Sequence, residues 1–286
     1  MKKRLHDLVW GRFVRMPYGH ILDYVGDDGE VIYPTAEWAK RGIPNGMGWW
    51  TPIENGGFFT GLYMLDSYPA EMRQQILDQG ITEIVMAIVS AAQSAGYGLV
   101  LGALGIILGK QTGLWKDERT VAKKPLMITL VISVTGGLAL ILPDILFFGR
   151  YVPMIMDSYG VKPTIPYMLA AVLYGGVIEE VMLRLFMMSL IAFILHKLFW
   201  RRQETTPVAA LVLANILSAI LFAAGHLPAT AMLMGITPMI LLRCFLLNGG
   251  FGLAFGWLYR KYGLRYSMLA HGGCHIISKL IWIRFL

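Results

Sequence analysis

The chain has 286 residues, of which 56% are hydrophobic and 15% charged, with a mean hydropathy of +0.57. Soluble globular proteins carry about 25% charge, so most of this chain lacks the polar cover that water demands, and disorder, a collagen repeat and a disulfide scaffold are excluded with it. The 25 Lys and Arg against 18 Asp and Glu give +7, but beyond the N-terminal segment the basic residues sit in short gaps between apolar runs, the pattern of inner-face membrane loops and not of a nucleic-acid groove.

Residues 1–80 read as a soluble segment. They hold 10 of the 18 acidic residues, and the stretches 24–31 and 49–57 are dense in turn formers. No run there approaches the roughly 20 apolar residues of a spanning helix. The basic start at Lys2, Lys3 and Arg4 has no apolar region behind it, which argues against a cleavable signal. Trp49 with Trp50, and Phe58 with Phe59, suit either a patch for a ligand or membrane surface or a packed accessory segment.

From Ile81 onward the pattern changes. Spans are predicted near 82–108, 125–148, 166–198, 207–226, 236–258 and 267–286. Residues 226–237 are apolar but contain breakers, so they form either a short membrane-buried connection or an extra piece of the fifth span, and the count runs from six to eight. The expected fold class is all-α: a polytopic transmembrane helix bundle over 81–286 behind an N-terminal soluble segment over 1–80. By the positive-inside rule the loops carrying Lys110, Lys116, Arg119, Lys123 and Lys124, then Lys197, Arg201 and Arg202, then Arg260, Lys261 and Arg265 face the cytoplasm. Opposite them stand Arg150 and Lys162. This puts the N-terminal segment outside despite its eight basic residues, a tension that an additional span or re-entrant piece would remove. Cys244 and Cys274 lie in apolar stretches and read as small buried hydrophobes.

A charge at the bilayer centre costs roughly 3 kcal/mol on insertion scales, so ionisable residues within spans are functional candidates. After Asp157 the chain has three acids, Glu179, Glu180 and the loop residue Glu204. Glu180 and Arg184 are four apart on one helix face, where carboxylate and guanidinium can pair. Glu179 is rotated from its neighbour by about 100° and is left for chemistry. Arg243, in the fifth span, is a rival partner for either acid. His226 follows Phe222 by four residues, and His271 and His275 are again four apart. A carboxylate that takes a proton from water, with imidazoles that orient the water or hold an oxyanion, is a hydrolytic set. The sequence has no Gly-x-Ser-x-Gly elbow and no His-Glu-x-x-His pair.

In this order, Glu179-Glu180-x-x-x-Arg184, Phe222-x-x-x-His226 and His271-x-x-x-His275 resemble the motifs of the CPBP intramembrane proteases, the type II CAAX prenyl endopeptidases and bacteriocin-processing or abortive-infection (Abi) proteins. The likeness covers roughly residues 125–286, and Gly256-Trp257-Leu258-Tyr259 ahead of His271 is similar to the family's approach to its third motif. The resemblance implies an endopeptidase in a bacterial inner membrane. Its partners would be the lipid bilayer and a membrane-associated polypeptide, with a prenylated CAAX tail or a leader as target, and no nucleic acid. It implies Glu179 as the base assisted by His226, an ion pair of Glu180 with Arg184, and an oxyanion held by His271 and His275. The last position is usually Asn or Asp in the family, so His275 is a departure. It also adds a donor: His226, His271 and His275 with a carboxylate would satisfy zinc. The family has been described both as metalloproteases and as glutamate proteases, and the choice stays open, with Glu179 favouring the second. Two other classes stay in view. One is a catalytically inactive scaffold or immunity protein, which the departure at His275 would suit. The other is a proton-coupled transporter, which the absence of an internal repeat opposes.

Overall fold

The computed structural model describes residues 50–116 and 122–286, together with three short strands ahead of them. The turn-rich residues 26–30, Trp49 and the loop position Arg119 lie outside the described residues. The chain divides into two units, 1–48 and 49–286. In the first, β1 (Phe13–Val14), β2 (Asp23–Val25) and β3 (Val31–Ile32) form an antiparallel sheet in sequential order, with Phe13 opposite Tyr24 and Tyr24 opposite Ile32. The second unit is helical, and it begins well ahead of the composition shift near Ile81.

That helical unit opens with α1 (Trp50–Ser67), the short α2 (Ala70–Asp78) and the long α3 (Glu83–Thr112). Thr82 caps α3 by accepting from the Val85 amide, and Gly113 ends it in the left-handed conformation, which only glycine enters without strain. The face of α3 turned to the protein is made of small residues, among them Ala87, Ser94, Gly102, Gly105 and Gly109, while Ile84, Ile88, Val89, Leu99 and Ile107 are exposed. Water would penalise such a surface. Lipid does not, and small residues at helix contacts let backbones approach closely. Gly61 of α1 lies directly on the Ala87 backbone of α3, which draws residues 50–67 into the helical unit although their acids and glycines read as a soluble stretch.

The remaining helices are α4 (Lys123–Tyr151), α5 (Pro153–Tyr159), α6 (165–199), α7 (Val208–Gly225), α8 (Leu227–Met234), α9 (Pro238–Tyr262) and α10 (Leu264–Phe285). Residues 226–237 thus continue the fourth span as α8 and turn at Gly235, whose φ is +71°; they do not extend the fifth. Among the described residues, four segments are long and apolar enough to cross a membrane by length and composition alone: α3, α4, α7 with α8, and α9. The protein is an integral membrane helix bundle. Helices α6 and α10 carry Glu179, Glu180, Arg184, His271, His275 and Lys279.

Close packing centres on α10. Gly273 fits against Ser133 of α4, and Gly136 of α4 against Cys274, so each cysteine is a buried free thiol packed among neighbours. On the other side a Cβ at Gly176 of α6 would stand 2.9 Å from the Gly272 Cα and 3.0 Å from its nitrogen. Backbone cannot give way as a flexible side chain can, so Gly176→Ala forces α6 and α10 apart. Overpacking of this kind costs about 1–3 kcal/mol; the expected result is a lower melting temperature in detergent together with reduced activity, and unchanged melting would contradict the packing.

Candidate active site

Helix α6 does not keep one winding. Ala171–Glu179 and Val181–Met188 are π-helical, with hydrogen bonds to the fifth residue along, and Glu180 sits at the join. Such widened turns are rare and recur at functional sites. Here the two adjacent acids separate: the Glu180 side chain is fully buried, whereas that of Glu179 is 21% exposed.

Glu180 accepts hydrogen bonds from two side chains and forms an ion pair with a third. Its Oε1 lies 3.1 Å from Arg184 Nη1 and 2.9 Å from His271 Nδ1, and its Oε2 accepts from the Ser267 hydroxyl. Arg184 keeps its pairing partner although the winding from Val181 is not α-helical. Among the described residues, neither of its terminal nitrogens finds an aligned hydrogen-bond acceptor. The guanidinium instead lies 4.2 Å from the Phe222 ring centroid and 5.5 Å from that of Phe255, whose π-faces attract a cation. Phe222 also meets His226 edge-on at 4.8 Å and His271 at 5.8 Å. It is therefore the apolar hub on which the arginine and two imidazoles rest.

The hydrogen bonds assign ring protons. The Phe222 carbonyl, 2.8 Å from His226 Nδ1, can only accept, so His226 carries its proton on Nδ1 and presents Nε2 as a lone pair when neutral. A carboxylate likewise only accepts, so His271 donates from Nδ1 to Glu180 and turns Nε2 toward Glu179 Oε2, 3.9 Å away. That gap exceeds a hydrogen bond and leaves Glu179 untied. His275 stacks on His271 with ring centroids 5.1 Å apart, and its Nδ1 is buried without a partner among the described residues. Both Nε2 atoms face the Gly175 backbone, where a Cβ would come within 3.0 Å of His275 and 3.4 Å of His271. Glycine there keeps the space beside the two imidazoles open. The phenols of Tyr63 and Tyr174 lie near enough to Glu179 to feel its charge.

All the residues singled out from sequence thus meet on α6, the α7 terminus and α10: Glu179, Glu180, Arg184, Phe222, His226, His271 and His275. A zinc ion would need converging donors. Among the described residues no group of three His, Cys, Asp or Glu side chains is so arranged, and the stacked rings of His271 and His275 point their nitrogens side by side.

Arg243 takes neither glutamate. It forms a bidentate pair with Asp144 of α4, both contacts at 2.6 Å, and the Tyr159 hydroxyl donates to the same carboxylate at 2.8 Å. Burial and the Asp144 charge hold the Tyr159 phenol well above its ordinary range, so it remains a donor. Sequence reasoning missed Asp144 and Ser267. An acid within the predicted second span, and a serine four residues ahead of His271, were the available signals.

No curated protein and no solved structure matches the chain. One family model does, described as Type II CAAX prenyl endopeptidase Rce1-like, over residues 161–277. That stretch contains every residue of the Glu179 and Glu180 clusters except the Tyr63 phenol, and over it the chain is similar to the Rce1-like CAAX endopeptidases of the CPBP intramembrane protease family.

Proposed function

We propose that the protein hydrolyses a peptide bond in a membrane-associated polypeptide by water activated at Glu179, in a bacterial inner membrane. The observation that carries this reading is the division of labour between adjacent acids: Glu180 is spent on Arg184, Ser267 and His271, while Glu179 is partly exposed and faces His271 Nε2 across 3.9 Å. A water between Glu179 and the His226 ring would donate one proton to the carboxylate and the other to the His226 Nε2 lone pair. Glu179 takes a proton from that water as its oxygen attacks the scissile carbonyl, and the carbonyl electrons move onto oxygen. His275, donating from Nε2, and His271 in its protonated form stabilise that oxyanion. Collapse breaks the carbon–nitrogen bond as the Glu179 proton passes to the leaving amine. His275 thereby fills with an imidazole donor the place where the family usually has an amide or carboxyl group. No step requires a metal.

The test is incubation of the purified full chain with farnesylated and unprenylated peptides ending in a C-a-a-X tetrapeptide, and with leader-type peptides, with and without a chelator. Products are identified by mass. The expected result is cleavage of at least one membrane-anchored peptide that survives the chelator. Cleavage abolished by chelator and restored by zinc would replace the glutamate mechanism, and intact peptides throughout would favour the inactive scaffold.

A further inference from the structure

We infer that Lys279 anchors the free C-terminal carboxylate of the substrate, and so measures how many residues lie beyond the scissile bond. This rests on the peptidase reading above and adds a substrate requirement to it. Lys279 lies past the segment that matches the family model and continues the His271 and His275 face of α10 at the same four-residue spacing.

Its surroundings are those of a cation awaiting an anion. Lys279 is 9% exposed, within a helix of the membrane unit. A buried lysine is costly and is normally paired, yet among the described residues no carboxylate stands within ion-pair distance of it. The ammonium donates to the Tyr167 hydroxyl at 3.1 Å and lies 4.7 Å and 5.3 Å from the Tyr167 and Trp282 ring centroids. One of its three donors is used, and the aromatic faces hold the charge without neutralising it. Trp282 is itself fixed by donating to the Tyr159 carbonyl at 2.9 Å. On α10 the lysine follows His275 by the same four residues that separate His275 from His271, so the three lie along one side of the helix.

Length supports the assignment. At a rise of 1.5 Å per residue, Lys279 is about 6 Å along the helix from His275 and about 12 Å from His271. An extended peptide advances about 3.3–3.6 Å per residue, so a three-residue leaving fragment spans about 10–11 Å. With the scissile carbonyl at the histidine pair, the terminal carboxylate of such a fragment falls at the Lys279 ammonium, where a charge-assisted hydrogen bond forms.

The experiment measures binding of a farnesylated octapeptide ending in Cys-Val-Ile-Met, as free acid and as C-terminal amide, to the full chain carrying Glu179→Gln. The same protein with Lys279→Met or Lys279→Arg is compared, and cleavage by the unmodified protein runs in parallel. The acid is expected to bind at least about tenfold tighter than the amide. Lys279→Met should erase that preference and Lys279→Arg retain it. The acid–amide comparison on Lys279 protein needs no variant at this position, so misfolding of Lys279→Met cannot hide the answer. Equal binding of acid and amide, or a preference that survives Lys279→Met, overturns the anchor. Cleavage without acid preference would remove the anchor and leave the peptidase. A Lys279-dependent preference without cleavage would do the reverse, and no binding of either peptide would remove both.

Discussion

Glu180→Gln is expected to cost more than any other single change at the site. The amide keeps the shape of the carboxylate but not its charge, and the Arg184 guanidinium, 1% exposed, is left without an anion. Removing one partner of a buried pair typically costs about 3–5 kcal/mol. The donors make it worse: His271 and Ser267 both point at this group, one at each oxygen, and the amide nitrogen that replaces one of those oxygens cannot accept. Thermal unfolding in detergent should show the loss directly. The double variant Glu180→Gln with Arg184→Met removes the orphan cation and should recover much of the melting temperature, whereas cleavage should stay low because His271 has lost the carboxylate that orients it. Recovery of both together would mean that Glu180 serves folding alone.

The second large effect lies away from the chemistry. Asp144→Ala strands Arg243 at the meeting of α4 and α9 and deprives Tyr159 of its acceptor. A loss of about 3–5 kcal/mol is expected for the same physical reason, somewhat softened because Arg243 is 24% exposed on its side chain. Asp144→Ala with Arg243→Met should regain much of that loss. The contrast with the Glu180 pair is functional: the compensated Asp144 variant should still cleave substrate. A fall in cleavage as deep as that of the compensated Glu180 variant would show that the Asp144 cluster also shapes the site.

How far the sequence could be read depended on the kind of signal. Composition and the length of the apolar runs announced a membrane bundle, because lipid imposes an apolar surface whatever the fold. The four-residue spacings of Glu180 with Arg184, Phe222 with His226 and His271 with His275 were legible because a single helix sets them. Contacts between helices were not. The pairing of Arg243 with Asp144 joins positions 99 apart, and the Ser267 and His271 bonds to Glu180 join positions 87 and 91 apart. No local periodicity encodes such meetings. The π-winding of α6 was equally hidden, since its apolar residues read as an ordinary span. The membership of residues 50–67 in the helical unit was obscured for a different reason: their glycines, which signal turns in a soluble chain, serve here as contact points between helices, as at Gly61 on Ala87.

The most direct test of the account compares the unmodified chain with Glu179→Gln at equal folded amounts, following cleavage of one membrane-anchored peptide by mass. Glu179 is 21% exposed and no hydrogen bond fixes it among the described residues, so the variant should melt as the unmodified chain does. Its rate should fall by about 10²–10⁴, the range that a positioned general base supplies. A well-folded Glu179→Gln protein that cuts the same bond at the same rate would contradict the assignment of Glu179 as the group that activates water.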